Sequence, residues 1–168
     1  MERRLKHEPL QYLLGNWYFR DLDIKVQKPV LIPRIETEQI IDIIKEQLHI
    51  KQIKQFSFLE VGIGTGCISI SLVKDNLKNV ESFIGIDINP QCVNLSRINL
   101  QKNLKYEFNR NLINQTQLKQ LGQFQNKSFD QFLIDYIQDK EHKFNFIVSN
   151  PPYISVEDYN KLDKSVRN

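Results

Sequence analysis

The segment that most constrains this chain runs from residue 56 to residue 87. Phe56-Ser57-Phe58-Leu59-Glu60-Val61 reads as a strand and runs into Gly62-Ile63-Gly64-Thr65-Gly66, after which Cys67-Ile68-Ser69-Ile70-Ser71-Leu72 starts a helix. A second apolar run, Ser82-Phe83-Ile84-Gly85-Ile86-Asp87, ends on an acid about 20 residues beyond Gly66. Strand, glycine turn, helix and second strand make a unit that belongs in an α/β sheet. The glycines let the backbone approach a ligand closely, and the N–H groups at the helix start become available to it. An acid where Asp87 stands can accept hydrogen bonds from both ribose hydroxyls. Either signal alone also fits an ordinary turn or a strand-end acid; the pair is far stronger.

The spacing narrows the ligand. A dinucleotide fingerprint wants glycine or alanine where this chain has Cys67, and the pattern here is G-x-G-x-G. No G-x-x-x-x-G-K-[ST] run is present, which excludes a P-loop. Glu60 precedes the glycines, and its negative charge would do nothing for a phosphate. A cationic ligand bearing an amino group would gain from it. S-adenosyl-L-methionine, a sulfonium with an α-amino group and a ribose, fits that description.

The second constellation lies at residues 144–154, FNFIVSNPPYI. An apolar run enters Asn150-Pro151-Pro152-Tyr153, where two prolines stop regular pairing. This reads as a buried strand ending in a stiff loop, at the carboxyl edge where open α/β sheets bind ligands. The Asn150 side chain offers one carbonyl acceptor and the proline-pinned backbone a second. Two fixed acceptors suit a planar NH2 group. A strand followed by a plain proline turn is the alternative.

Elsewhere the chain punctuates itself. Leu10–Gly15 reads as a helical turn closed by glycine, and residues 17–26 as a hairpin around Arg20-Asp21. Pro29 and Pro33 bracket a short extended piece, and a helix carrying Ile40, Ile41, Ile43, Ile44 and Leu48 follows. Glu36 and Glu38 in its first turn complement the helix dipole, which alone explains both acids. Asn89-Pro90 opens another helix; residues 105–108 read as a strand, 112–127 as an inserted loop or helix, 129–137 as a helix, and 154–168 as a short helix. The net charge of +3 is too small to argue for stable nucleic-acid binding. No apolar run nears the roughly 20 residues of a membrane span. Cys67, Cys92 and the three histidines lack metal-ligand spacing, so no metal is expected. With no signal-peptide pattern at the start, the expected setting is intracellular, mitochondrial or cytoplasmic.

FLEVGIGTGCISISL, FIGIDINP and FNFIVSNPPYI, in this order, resemble class I methyltransferases of the HemK/PrmC family, which methylate the side-chain amide of glutamine in proteins. EPLQYLLGNWYFRDLDIKVQKPVLIPRIETEQ is similar to that family's lead-in, and residues 32–38 to its release-factor type. The resemblance implies a Rossmann-like α/β fold, with residues 1–50 as the lead-in and 51–168 as a partial catalytic domain. It also implies a seven-stranded sheet and a preceding helical domain, so the sheet is expected to be incomplete on its C-terminal side and the chain truncated at both ends.

Carried over, Gly62, Ile63, Gly64, Thr65 and Gly66 would line the methionine end of S-adenosyl-L-methionine. Glu60 would stand near its amino group and Asp87 would hold the ribose; the resemblance does not identify the residue that covers the adenine, for which Phe129 is a candidate. Asn150, Pro151, Pro152 and Tyr153 would grip the substrate glutamine, with Arg34 and Thr37 shaping the substrate-side wall. The implied partner is a peptide chain release factor, methylated in its Gly-Gly-Gln motif. Ile35 replaces the family's second proline, Asn145 an acid, and Glu60 the commoner aspartate; none removes a group the chemistry needs. An N6-adenine methyltransferase acting on DNA or RNA, and an inactive methyltransferase fragment, remain as alternatives.

Overall fold

The computed structural model describes residues 2–5, 7–138 and 143–151. Two helical turns open the chain, α1 (Glu2–Leu5) and α2 (Leu10–Leu14). Gly15, at φ 76°, stops the second by entering the left-handed region. The chain then reverses through an antiparallel hairpin, β1 (Asn16–Phe19) and β2 (Leu22–Lys25), turning at Arg20-Asp21 as its sequence predicts. A 3-10 turn, Ile35–Thr37, leads into α3 (Glu38–Ile50), which turns Ile40, Ile41, Ile44 and Leu48 to the core and leaves Ile43 exposed. Glu38 also accepts the Arg20 backbone N–H at 2.8 Å, tying the hairpin turn to the helix start.

The remaining elements alternate: β3 (Phe56–Val61), α4 (Cys67–Asp75), β4 (Val80–Asp87), α5 (Pro90–Asn103), α6 (Lys105–Asn109), α7 (Gln115–Leu121), β5 (Gly122–Asn126), α8 (Phe129–Gln138) and β6 (Phe146–Ser149). The sheet order is β5-β4-β3-β6, and each neighbouring pair is parallel. From β3 the chain works outward through β4 and β5, then returns to lay β6 on the other side of β3. That reversal opens a crevice at the carboxyl ends of β3 and β6, the place where doubly wound sheets take ligands. Among the described residues β6 forms one edge of the sheet.

A row of phenylalanines holds one face of the sheet. Phe58 stacks between Phe146 and Phe83, with ring centroids 5.5 and 5.6 Å away, and Phe124 meets Phe83 edge-on at 5.5 Å. Contacts of this kind contribute about 0.5–1.5 kcal/mol per pair beyond the area they bury. Two glycines make room for the row. A Cβ at Gly85 would stand 2.6 Å from the Phe124 ring and 2.8 Å from Ile63; at Gly122 it would stand 2.3 Å from Phe83. On the opposite face Leu59 and Ile86 pack under Phe132 of α8, with Tyr136 and Phe144 stacked beside it.

The lead-in packs into the same core, burying Phe19, Leu22, Ile24 and Val26. Two asparagines one helical turn apart on α5 pin the hairpin. Asn103 accepts the Asp23 N–H at 3.0 Å and donates to the Asp23 carbonyl at 3.1 Å. Asn99 makes the same pair of bonds to Lys25, at 2.8 and 3.1 Å.

Two local expectations need correction. Residues 105–108 are not a strand: they lie in α6, where Phe108 N–H bonds back to the carbonyl of the fully buried Leu104. The stretch 112–127, expected as a loop or helix, holds the helix α7 and then an unexpected strand, β5. Asn114 and Gln117 cap α7 reciprocally, and only Phe124 of β5 is buried, so this edge strand carries little apolar signal. Residues 30–32 join no sheet; Val30 is held by a Tyr12 hydroxyl bond to its carbonyl at 2.8 Å. The helix expected at 154–168 lies outside the described residues. Among the described residues no helix is long and apolar enough to cross a membrane.

Gly85→Val should lower the unfolding free energy by about 1–3 kcal/mol, because its side chain must displace Phe124 or Ile63. Urea denaturation checks this; a wild-type midpoint would show that the aromatic row yields without cost.

Candidate active site

The crevice begins where β3 runs out. Gly62, Gly64 and Gly66 all hold positive φ, at 76°, 52° and 81°, a region that side chains rarely adopt. Their surroundings differ. A Cβ at Gly62 or Gly64 would meet nothing within 4 Å, so these two turn bare backbone toward open space. At Gly66 it would stand 2.7 Å from Ser96 Cβ, so this glycine serves the close approach of α5 to the turn. Thr65 between them is buried, and its carbonyl accepts a bond from Asn99 at 3.0 Å.

Asp87, at the end of β4, braces the turn from the side. Its Oδ2 accepts the Gly64 N–H at 3.0 Å and its Oδ1 the Asn89 N–H at 2.9 Å. A carboxylate has about four lone-pair sites, so each oxygen keeps acceptor capacity for a ligand hydroxyl. Asp87 lines a cleft of about 490 Å³ together with Gly62, Gly64, Asn150 and Pro151. That volume lies within the range of small-molecule sites. Ile88 and Phe129, both exposed, supply apolar wall farther along it, and Pro29, Val30 and Leu31 of the lead-in complete it.

Asn150 follows β6 directly. Because Val61 pairs with Ser149, Asn150 emerges level with Gly62. Its Nδ2 donates to the buried Thr37 hydroxyl at 2.8 Å, which fixes how the amide is turned. Ser149 steadies the strand end through a 2.9 Å bond to the Val61 carbonyl. Pro152 and Tyr153 lie outside the described residues.

Behind the turn lies a second, smaller cavity of about 50 Å³. Gly62 through Thr65 form one wall, Arg34, Thr37 and Asn150 another, and Glu60 reaches it from below. Glu60 is 1% exposed, and its Oε2 accepts both the backbone N–H, at 2.9 Å, and the hydroxyl of Ser69. Gly66 has no side chain to cap α4, and Glu60 does so from the neighbouring strand. Burial pushes its carboxyl up to about 8; the Ser69 bonds pull the other way, and the nearby charge of Asp87 adds to the rise. Burial likewise pushes the Cys67 and Cys92 thiols up to about 12, which leaves neither as a ready nucleophile.

Among the described residues, the sequence-expected ones other than Gly66 border two adjoining cavities, with Gly62, Gly64 and Asn150 bordering both. Gly66 stands apart, packed on α5. Sequence reasoning missed Ser69, Asn99 and the 29–31 wall. Ser69 and Asn99 sit at core-facing helix positions normally apolar, a signal that a buried polar partner exists.

Known proteins resemble this arrangement at three levels. Residues 81–168, just over half of the chain, match the family model described as Eco57I restriction-modification methylase. The release factor glutamine methyltransferase of Fusobacterium nucleatum subsp. nucleatum is 34% identical over 166 residues, covering 99% of this chain and 40% of that protein. That of Flavobacterium psychrophilum is 34% identical over 162 residues, covering 96% and 49%. The chain thus spans half or less of the length of these curated relatives. Among solved structures, the METTL16 MTase domain aligns with a TM-score of 0.53 at 19% identity, over 83% of this chain and 49% of that one. At that identity the likeness concerns the fold, which is Rossmann-like and of the class I methyltransferase type.

The buried acid makes stability pH-dependent. Between the ordinary glutamate value of 4.5 and about 8, the unfolded chain sheds a proton that folded Glu60 keeps. Rising pH therefore favours unfolding across that window, by at most about 1.4 kcal/mol per pH unit for one proton. Glu60→Gln should flatten the fall in melting temperature between pH 5 and pH 8. Parallel curves for the two proteins would show that Glu60 is ionised in the fold.

Proposed function

Because the chain belongs to the Eco57I restriction-modification methylase family, and is related along nearly its whole length to release factor glutamine methyltransferases of the HemK/PrmC kind, we propose that it transfers a methyl group from S-adenosyl-L-methionine to the side-chain amide nitrogen of a glutamine in a peptide chain release factor. The observation that carries this reading is the place of Asn150. It borders both the larger cleft that holds Asp87 and the small cavity that holds Glu60, with its amide turned by Thr37.

The residues fit the cofactor. Bare backbone at Gly62 and Gly64 leaves room for its methionine end, the Asp87 carboxylate keeps acceptors for the ribose, and the Ile88–Phe129 wall suits an adenine. Glu60 would serve the α-amino group, a cation that favours the ionised carboxylate. When bound, the cofactor supplies a methyl group already activated on a sulfonium.

The substrate amide is a weak nucleophile because its nitrogen lone pair is delocalised into the carbonyl. What this chain must contribute is alignment and exclusion of water. Asn150 would accept one amide N–H through its side-chain carbonyl and Pro151 the other through its backbone carbonyl. Pro152 would stiffen that loop, and Tyr153 would pack on the amide plane. As the N–C bond forms and the S–C bond breaks, the surplus proton on nitrogen leaves to water, so no strong base is required. Residues 1–50 would form the lead-in, with Arg34 and Thr37 shaping the substrate-side wall, and residues 51–168 part of the catalytic domain. The setting would be the cytoplasm or the mitochondrion, where release factors work.

Adenine N6 is also a planar NH2 group with a delocalised lone pair, and the match to a restriction-modification methylase over residues 81–168 favours that second reading. The lead-in weighs against it. Similarity to the release factor glutamine methyltransferases extends over 99% of the chain, including residues the methylase model does not match.

Asn150→Ala should abolish labelled methyl transfer to a release factor bearing Gly-Gly-Gln while leaving cofactor affinity within a few-fold. Undiminished transfer by the variant would remove Asn150 from the mechanism. Transfer to competing DNA instead of the release factor would establish the adenine reading.

A further inference from the structure

One side chain joins the two sides of the cleft. Asn99 of α5 is fully buried and uses its whole amide: Oδ1 accepts the Lys25 N–H, while Nδ2 donates to the carbonyls of Lys25 and Thr65. Thr65 belongs to the glycine turn, whose open backbone at Gly62 and Gly64 borders the cleft. Lys25 ends β2, and the chain continues from it through the buried Val26 to Pro29, Val30 and Leu31, which border the same cleft. No regular sheet pairing links these two pieces of backbone, so Asn99 bridges them directly.

Asn103, one helical turn along the same face, provides an internal comparison. It grips the backbone of Asp23 in the same two-bond manner, and its third bond goes to the Asn99 carbonyl within α5 at 2.9 Å. It docks the hairpin without reaching the glycine turn. Removing either amide leaves buried backbone groups unpaired, so both changes cost stability. Only loss of Asn99 frees Thr65 from β2.

We infer that Asn99 is a positioning residue, which sets the spacing between the glycine turn and the 29–31 wall and so tunes the cleft for its ligand. The inference rests on the cleft being the cofactor site. With the wall held, the backbone of the turn stands in one geometry before the ligand arrives, and less ordering remains to be done on binding. With the bridge cut, the two pieces move apart independently, and the ligand must order both.

The test uses S-adenosylhomocysteine, the demethylated product, as a probe that needs no protein substrate. Calorimetric titration of folded protein should show affinity reduced 10-fold or more by Asn99→Ala and less than 2-fold by Asn103→Ala. In turnover, Asn99→Ala should raise the cofactor KM with a smaller change in kcat. Equal losses in the two variants, or none in Asn99→Ala, would overturn the inference. If Asn99→Ala does not fold, amide hydrogen exchange of the wild-type chain decides instead. Bound S-adenosylhomocysteine should slow exchange at Lys25, whose N–H bonds to Asn99, more than at Asp23, whose N–H bonds to Asn103; equal slowing would refute it. A wild-type chain that binds no probe would remove both this inference and the cofactor reading beneath it.

Discussion

The parallel pairing of β3 with β6 is the contact on which the rest of the molecule depends. Phe58 opposite Phe146 and Val61 opposite Ser149 fix a register that brings Asn150 level with Gly62. A slip of one residue would turn Phe146 out of the aromatic row and Asn150 away from the turn together. Packing and site geometry thus answer to the same constraint. Asn145 guards it at the other end, where its side chain accepts the Ser57 N–H at 2.7 Å and its own N–H bonds to the Ser57 carbonyl at 2.8 Å. The acid usual at that position in the family offers a similar acceptor, which explains why the asparagine is tolerated.

Glu60 shows how one residue can belong to the fold and to the site at once. Glycine at position 66 lets α5 come close, and the price is a helix without a cap of its own. Glu60 supplies that cap from the strand and is buried in doing so. An acid held in this way is an uncomfortable neighbour for Asp87 until a positive charge joins them. Burial and the charge of Asp87 keep the proton on Glu60, and a positive charge beside the turn would favour its release.

Much of this was legible in the residues. The strand, the glycine turn, the helix start at Cys67 and the acid at Asp87 lie where sequence places them, because burial on both faces of a central strand demands an unbroken apolar run and the turn demands glycine. β5 was hidden for the opposite reason: an edge strand with one buried phenylalanine looks like a polar loop. The division of labour among the glycines was also hidden, since positive φ reads the same whether the space beyond is open cleft or packed helix. Thr37 and Asn99 meet partners 113 and 34 residues away, and Ser69 meets Glu60 on the preceding strand, so a local pattern marks a buried polar side chain without naming its partner.

The bond between Asn150 and Thr37 joins residues 113 apart in the chain, and the one between Ser149 and Val61 joins residues 88 apart. Closing loops of that length is slow compared with local βα pairing. The glycine turn and Asp87, 23 residues apart at the Gly64 bond, can assemble early, even while the chain is still being synthesised. The Asn150 corner cannot, because β6 follows every other strand among the described residues. A newly made chain can therefore hold its Asp87-braced turn before the Asn150 corner closes beside it, so the two borders of the cleft form one after the other rather than together.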